Sequence, residues 1–135
     1  MSLITWNAEQ FGTNVATHDK EHQQIFDALN ALHASVEGGD RATTGQKLDQ
    51  LLDIVQSHFK SEEENLAKVG YAEFDAHKAA HDHLLATCTD LHAKFSAGQT
   101  EITPDTTGFL KDWLVGHIPN VDRAYSEPLK AAGVA

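Results

Sequence analysis

Histidines and carboxylates at helical spacing are the feature that most constrains this chain of 135 residues. Five of its nine histidines fall in four short motifs: Asp19-x-x-His22, His58-x-x-x-Glu62, His77-x-x-x-His81 and His117-x-x-x-x-Asp122. Residues four apart on an α-helix share a face, so HxxxE and HxxxH each direct two side chains toward one point. Imidazoles with carboxylates suit a borderline metal such as Fe(II) or Zn(II), whereas Ca(II) and Mg(II) prefer oxygen ligands. The sequence therefore predicts a metal site held by helices.

Seven candidate ligands are too many for one such ion and suit two. One arrangement gives three histidines to one ion, two to the other, and both carboxylates to the pair as bridges: His77, His81 and His117; His22 and His58; Glu62 and Asp122. With one shared solvent oxygen, the first ion would be six-coordinate and the second five-coordinate. An open position with no nucleophile or general base among the motifs favours binding of a small exogenous ligand, such as a gas, over hydrolysis.

Apolar residues recur at helical spacing in four blocks, which cover residues 19–36, 43–66, 73–95 and 103–125. Gly38-Gly39 is predicted to end the first block and Gly98 the third. The second block opens on Thr43-Thr44-Gly45-Gln46, which has the form of a capping box. Thr103-Pro104 predicts an N-cap followed by proline at the first helical position. Four helices joined by short loops predict an all-α fold, an up-down-up-down antiparallel four-helix bundle with an N-terminal arm.

The chain is predicted to form a single domain over residues 1–135. Residues 1–18 carry Trp6, Phe11 and Val15 outside the helical pattern and are interpreted as an arm packed over the bundle. Residues 19–126 are predicted to form the bundle, and residues 127–135 a C-terminal tail.

The composition narrows the set of partners. The formal net charge is −10, without a run of lysine or arginine, which argues against nucleic acid and anionic membranes. No stretch approaches the about 18 apolar residues of a membrane helix, and the N-terminal residues do not read as a secretion signal, so the expected location is the cytoplasm. Cys88 is the one cysteine, which excludes an internal disulfide.

The ordered motifs resemble those of hemerythrins, specifically the single-domain bacterial form. The resemblance covers nearly the whole chain and rests on the following segments, in this order: Trp6, Asp19-x-x-His22, His58-Phe59-x-x-Glu62-Glu63, Gly70-Tyr71, His77-x-x-x-His81 and Trp113-Leu114-x-x-His117-Ile118-x-x-x-Asp122. One HxxxH motif alone would be weak, but seven ligands in this order and spacing are highly specific.

The resemblance implies a non-heme di-iron protein that binds O2 reversibly, for storage, transport or delivery. It implies two iron ions joined by an oxo or hydroxo bridge, with O2 as the ligand of the two-histidine iron. It assigns the ligands as in the arrangement above, and it implies an O2 pocket lined by Trp113, Leu114 and Ile118. The alternative for these three side chains is ordinary core packing.

The expected function is that of an O2 carrier without enzymatic activity. Other functions remain as alternatives. A di-iron oxidase or peroxidase is the main one, although oxidases of the ferritin-like bundle use E-x-x-H pairs that the matched positions lack. A sensor component usually needs a fused output domain, and a di-zinc hydrolase needs a substrate cleft. The expected partners are O2 and an O2-consuming enzyme as recipient, and the expected oligomeric state is a monomer.

One ligand pair departs from regular helical spacing. His117 and Asp122 are five residues apart, about 140° around an ideal helix, so a regular helix would not direct both inward equally. Pro119 lies between them, and its ring disturbs a helix. We therefore predict an irregular, widened turn between Val115 and Asp122.

Four other polar residues near the motifs carry weaker expectations. His18 lies four residues before His22 and could reach the mouth of the site, but it is expected to be solvated at a helix start. His83 is expected to point away from the site. Glu63 is expected on a solvated acidic face, or else as a carboxylate that meets incoming O2 or protons. Tyr125 is expected either to donate a hydrogen bond behind the ligands or to cap the end of the bundle.

Overall fold

The structure is a computed structural model that describes residues 3–13 and 15–133. In chain order its helices are α1 (Ala8–Phe11), α2 (Ala16–Gly38), α3 (Arg41–Lys68), α4 (Phe74–Ser96), α5 (Pro104–Asn120) and α6 (Ser126–Ala131), with a 3-10 helix at Asp122–Tyr125 between α5 and α6. The described residues contain no strand. Helix α2 packs on α3 and α5, and α3 packs on α4. The predicted all-α four-helix bundle is confirmed.

The start of α5 agrees with the prediction from the sequence, and the start of α3 does not. Thr103 is the N-cap of α5 and Pro104 its first residue, as predicted. The predicted capping box at Thr43 is wrong, because α3 already begins at Arg41. Asp40 is the N-cap there, and its carboxylate accepts a hydrogen bond from the Ala42 N–H at 3.2 Å. Aspartate is as good an N-cap as threonine and stands three residues earlier, so it sets the start of the helix.

Two apolar clusters form the core. The larger one includes Ile25, Leu29, Leu51, Val55, Leu84, Leu110 and Leu114. The smaller one consists of Val15, Leu66, Tyr125 and Leu129. Along α3, His58 and Glu62 lie between Val55 of the first cluster and Leu66 of the second. The bundle interior therefore has a polar layer between two apolar ones.

The N-terminal segment packs on the bundle through aromatic and polar contacts. The Trp6 and Phe11 rings lie 5.7 and 5.0 Å from the Phe26 ring of α2. The Asn30 side chain accepts hydrogen bonds from the Leu3 and Ile4 N–H groups and donates to the Ile4 carbonyl. The described part of the segment thus packs on the bundle, as predicted.

The boundaries of arm, bundle and tail stay predictions. Helix α2 begins at Ala16, inside the predicted arm, and α6 occupies part of the predicted tail. Met1, Ser2, Asn14, Val134 and Ala135, which fall within those predicted segments, lie outside the described residues. Among the described residues, no helix is both long enough and apolar enough to cross a bilayer.

The chain becomes irregular within the predicted segment 115–122, but at Val121 rather than at Pro119, and the turn is not widened. Helix α5 continues through Pro119 to Asn120, and Val121 leaves the ideal geometry with φ of −109°. A tighter 3-10 helix then starts at Asp122. The expectation of a wider turn is wrong, because the α-helix ends before Asp122 and a new element directs that carboxylate.

A pair of adjacent glycines gives a test of the α2 terminus. Gly39 has φ of +76°, whereas Gly38 is helical, and a Cβ at either position would meet no atom within 4 Å. We expect Gly39→Ala to lower the free energy of unfolding by about 1 kcal/mol because of backbone strain. Gly38→Ala, the matched control, should raise it by about 0.5 kcal/mol. Urea unfolding at equal metal content measures both, and equal effects would contradict the strain argument.

Candidate metal centre

The seven predicted ligand residues come together in the polar layer of the bundle. They form two groups whose ligand atoms lie within 4.8 Å of one another: Glu62, His77, His81, His117 and Asp122; and His22, His58, Glu62 and Asp122. All seven are buried, with 6% exposure or less. The two groups share both carboxylates, and they divide the histidines three and two, as the sequence suggested.

Four long helices and the 3-10 helix each supply part of the cluster. His22 comes from α2, His58 and Glu62 from α3, His77 and His81 from α4, His117 from α5, and Asp122 from the first position of the 3-10 helix. The HxxxE and HxxxH pairs meet because both members lie on the inward face of one helix. Asp122 reaches the same point only because α5 ends at Asn120.

Asp122 presents one oxygen to each histidine group. Its Oδ1 lies 3.0 Å from His77 Nε2 and 2.9 Å from His117 Nε2. Its Oδ2 lies 3.0 Å from His22 Nε2, in the other group. This is the placement expected of a carboxylate that bridges two ions.

Glu62 divides its oxygens in the same way. Its Oε1 lies 3.0 Å from His77 Nε2 and 3.3 Å from His81 Nε2. Its Oε2 lies 3.2 Å from His22 Nε2 and 3.0 Å from His58 Nε2. Both carboxylates therefore span the two groups.

Unpaired polar atoms show that the residues fit a metal. His81 Nε2, His117 Nε2 and both carboxylate oxygens of Asp122 are buried, and although His117 Nε2 and Asp122 Oδ1 lie 2.9 Å apart, none of these atoms makes a hydrogen bond of acceptable geometry. Leaving several such atoms unpaired in a protein interior costs free energy, so they are normally satisfied. Nitrogen and carboxylate donors that converge on two points suit two borderline divalent ions, which would satisfy them.

The electrostatics of the cluster also favour cations. Burial alone opposes ionisation of Glu62, but the nearby His58 charge and imidazole hydrogen bonds hold its pKa well below the usual range. Burial disfavours protonation of His58, but the Glu62 charge and the hydrogen bond to Glu21 raise the pKa of the His58 ring to about 10. The Asp122 and Glu62 carboxylates likewise raise the pKa of His77 to about 9. Two buried anions attract positive charge, which protons or metal ions can supply.

Two outer carboxylates contact histidines of the cluster from outside. Glu21 Oε1 lies 2.8 Å from His58 Nδ1, and Glu63 Oε2 lies 2.9 Å from His81 Nδ1. Such a partner fixes the ring so that Nε2 faces the metal. Sequence reasoning missed Glu21, since it meets His58 only across two helices. Glu63 is not on a purely solvated face, because it contacts His81.

His18 and Tyr125 lie directly behind Glu62. The expectation that His18 is solvated is wrong, since it has 0% exposure. Tyr125 donates a hydrogen bond to Glu62 Oε2 at 2.8 Å, so the first of the two expectations for this tyrosine is confirmed. His18 occupies the turn before His22 on the inward face of α2, a signal that its four-residue spacing already contained. His83 is exposed, as predicted.

Aromatic and apolar side chains cover the cluster on the larger-core side. Phe59 stacks on His81 with ring centroids 3.8 Å apart, and the half-buried Trp113 stacks on His117 at 4.2 Å. Leu114 and Ile118 are buried. A cavity of about 20 Å³ is lined by apolar side chains, including Phe59, Leu110 and Leu114. The O2-pocket role of Trp113, Leu114 and Ile118 stays a prediction.

Comparison with known proteins agrees with this geometry. Residues 13–127 match the family model described as the hemerythrin HHE cation binding domain. The chain is 52% identical to the bacteriohemerythrin of Methylococcus capsulatus, over 97% of this chain and 100% of that protein. It is 31% identical to the bacteriohemerythrin of Stenotrophomonas maltophilia, over 97% of this chain and 84% of that protein.

A solved structure also superposes closely. The crystal structure of a wild-type hemerythrin matches with a TM-score of 0.94 and 52% identity, over 95% of this chain and 98% of that one. The resemblance inferred from the motifs is thereby confirmed. This chain belongs to the hemerythrin family, the non-heme di-iron proteins that bind O2.

Proposed function

We propose that this protein is a reversible O2 carrier whose two iron ions are held by the seven clustered residues. The three-histidine group (His77, His81, His117) would hold one iron, and the two-histidine group (His22, His58) the other. Glu62 and Asp122 would bridge the irons. The observation that carries this proposal is the division of each carboxylate, with one oxygen toward each histidine group.

The protein's own residues prepare the site for a small neutral ligand. The two irons, when bound, supply the electrons that reversible O2 binding requires. Leu114, Ile118 and the ring of Phe59 form an apolar wall that excludes water. Glu21 and Glu63 hold the rings of His58 and His81 in place from outside. A neighbouring cavity of about 20 Å³ has room for a diatomic molecule but not for an organic substrate.

We favour a carrier over the oxidase alternative because apolar walls adjoin the site and the cavity beside it, of about 20 Å³, holds only a molecule of diatomic size. The visible spectrum of the anaerobically reduced protein distinguishes the two. A charge-transfer band that develops in air and disappears when O2 is removed is expected of a carrier. A band that persists, or O2 that is consumed catalytically in the presence of a reductant, would identify an oxidase.

The cellular role follows as a further part of the proposal. Storage, transport or delivery of O2 to an O2-consuming enzyme is consistent with a single site of this kind. A cytoplasmic location and a monomeric state remain the predictions made from the sequence. Cell fractionation tests the first, and sedimentation of the iron-loaded protein tests the second.

Iron stoichiometry tests the ligand set. The native protein should bind two irons per chain. His81→Ala removes an Nε2 from the three-histidine group and should lower the iron content below two. His83→Ala, two residues away on the exposed face of α4, should keep the native content. Native protein with a single iron, or equal iron in both variants, would contradict the assignment.

The contact between the outer carboxylate of Glu63 and His81 can be tested through iron affinity. Glu63→Ala should weaken iron binding about 10- to 100-fold, because His81 loses the partner that orients its ring. Glu64→Ala, at the exposed neighbouring position, is the matched control and should bind iron as the native protein does. Competition with a chelator measures both affinities, and equal affinities would show that Glu63 does not support the site.

The apolar wall can be opened at Leu114. We expect Leu114→Ala to speed spontaneous oxidation of the O2-loaded protein, because water gains access, while two irons remain bound. The truncation should also cost about 2–5 kcal/mol of stability. Leu32→Ala is the control, since Leu32 is also buried but lies ten residues, about 15 Å, along α2 from His22. Equal oxidation rates in the two variants would leave Leu114 with a packing role alone.

A further inference from the structure

A buried chain of hydrogen bonds reaches Glu62 from outside the seven-residue cluster. Asn65 Nδ2 lies 2.9 Å from His18 Nε2, and His18 Nδ1 lies 2.9 Å from the Tyr125 hydroxyl. Tyr125 donates to Glu62 Oε2 at 2.8 Å. His18 and Tyr125 both have 0% exposure, and Asn65 is half-buried. The chain crosses from α3 through α2 to the 3-10 helix and returns to α3.

Each donor in this chain has a determined direction. The ionised Glu62 carboxylate can only accept, so the Tyr125 hydroxyl must donate to it. The hydroxyl has one hydrogen, so toward His18 it acts as an acceptor and Nδ1 carries the proton. The Asn65 amide nitrogen can only donate, so His18 Nε2 accepts. His18 is therefore neutral with its proton on Nδ1, and burial supports this by lowering the pKa of the ring.

We propose that His18 is a positioning residue that acts through Tyr125. Its Nδ1–H holds the tyrosine hydroxyl so that the hydroxyl hydrogen points at Glu62 Oε2. Without His18, the hydroxyl would lose its Nδ1–H donor, and the remaining contact with the Thr13 side chain would hold it less firmly toward the carboxylate. This inference rests on the proposed role of Glu62 as a bridging ligand.

The hydrogen bond falls on one oxygen of the bridge only. Glu62 Oε2 faces His22 and His58, the group proposed to hold the iron with the open position. Oε1 faces His77 and His81 in the other group. Donation from Tyr125 withdraws negative charge from Oε2, which makes that oxygen a weaker donor to the O2-binding iron. A weaker anionic donor favours the ferrous state, so the chain should raise the reduction potential at that iron.

A double-mutant cycle on the iron-loaded protein tests this chain. His18→Leu removes the donor, and we expect the midpoint potential to fall by about 60 mV, which is a tenfold shift in a one-electron equilibrium. His18→Asn keeps an N–H at the position of Nδ1 and should restore the native potential. Tyr125→Phe should lower the potential as His18→Leu does, and adding His18→Leu to it should cause no further fall. His92→Leu, a half-exposed histidine paired with Asp49, is the control and should have the native potential.

The outcomes separate positioning from a general packing role. An unchanged potential in His18→Leu, or an undiminished fall in the Tyr125→Phe background, would overturn the proposal. Failure of His18→Asn to restore the potential would do the same. All variants are compared at two irons per chain, so lost metal is not mistaken for a shifted potential.

Neutron diffraction from deuterium-exchanged crystals of the native protein gives a second test that needs no variant. We expect deuterium on His18 Nδ1, none on Nε2, and the Tyr125 hydroxyl deuterium directed at Glu62. Deuterium on Nε2, alone or with Nδ1, would overturn the inference. Native protein without two irons would instead fail the proposed function, while the deuterium positions would still be readable.

Discussion

Two anionic side chains in the bundle interior are the constraint on which the rest of this structure depends. Glu62 and Asp122 are almost completely buried, and a buried carboxylate is costly unless opposite charge and hydrogen bonds compensate it. Five imidazoles surround the pair, and each carboxylate spans two histidine groups. Positive charge at its centre therefore stabilises the cluster. A pair of iron ions meets that need and gives the fold its function.

The layered core follows from this constraint. The larger apolar cluster lies on one side of the polar layer, and Val15, Leu66, Tyr125 and Leu129 form the smaller one on the other. Phe59 and Trp113 stack directly on histidines of the metal-site cluster, so aromatic faces close the boundary toward the larger cluster. Tyr125 belongs to the smaller cluster through its ring and to the polar layer through its hydroxyl. Packing and ligand positioning are therefore achieved by the same side chains.

The polar groups behind the ligands are arranged asymmetrically. Each histidine group has one ring held by an outer carboxylate, His58 by Glu21 and His81 by Glu63. Among the described residues, the Glu62 carboxylate in contrast receives a hydrogen bond from outside the cluster at Oε2, from Tyr125. Two ions bridged by the same carboxylates would thus experience different surroundings. Such a difference is what a site needs if only one of its ions is to bind O2.

By itself the sequence determined the four helices and the seven metal-site candidates. The helices, the HxxxE pair and the HxxxH pair follow from spacing within single helices, whereas His22, His117 and Asp122 follow from their order in the family motifs. Pairs such as His58 and Glu62 share a face whatever the rest of the chain does. Short-range capping was predicted correctly at Thr103 but not at Thr43, where Asp40 competes as an N-cap. A sequence pattern predicts the start of a helix correctly when one residue is the clear N-cap. It fails when two possible N-caps lie within one turn of each other.

Only the tertiary structure decided the features that need two or more elements to meet. Glu21 and His58 are 37 residues apart in sequence, and His18 and Tyr125 are 107 apart, so no periodicity links them. Asp122 was recognised by its motif, but its orientation depends on where α5 ends and the 3-10 helix begins. Spacing along a helix fixes which side chains share a face. The packing of the helices sets which partners those side chains meet. That packing depends on several segments at once, so no single segment predicts it.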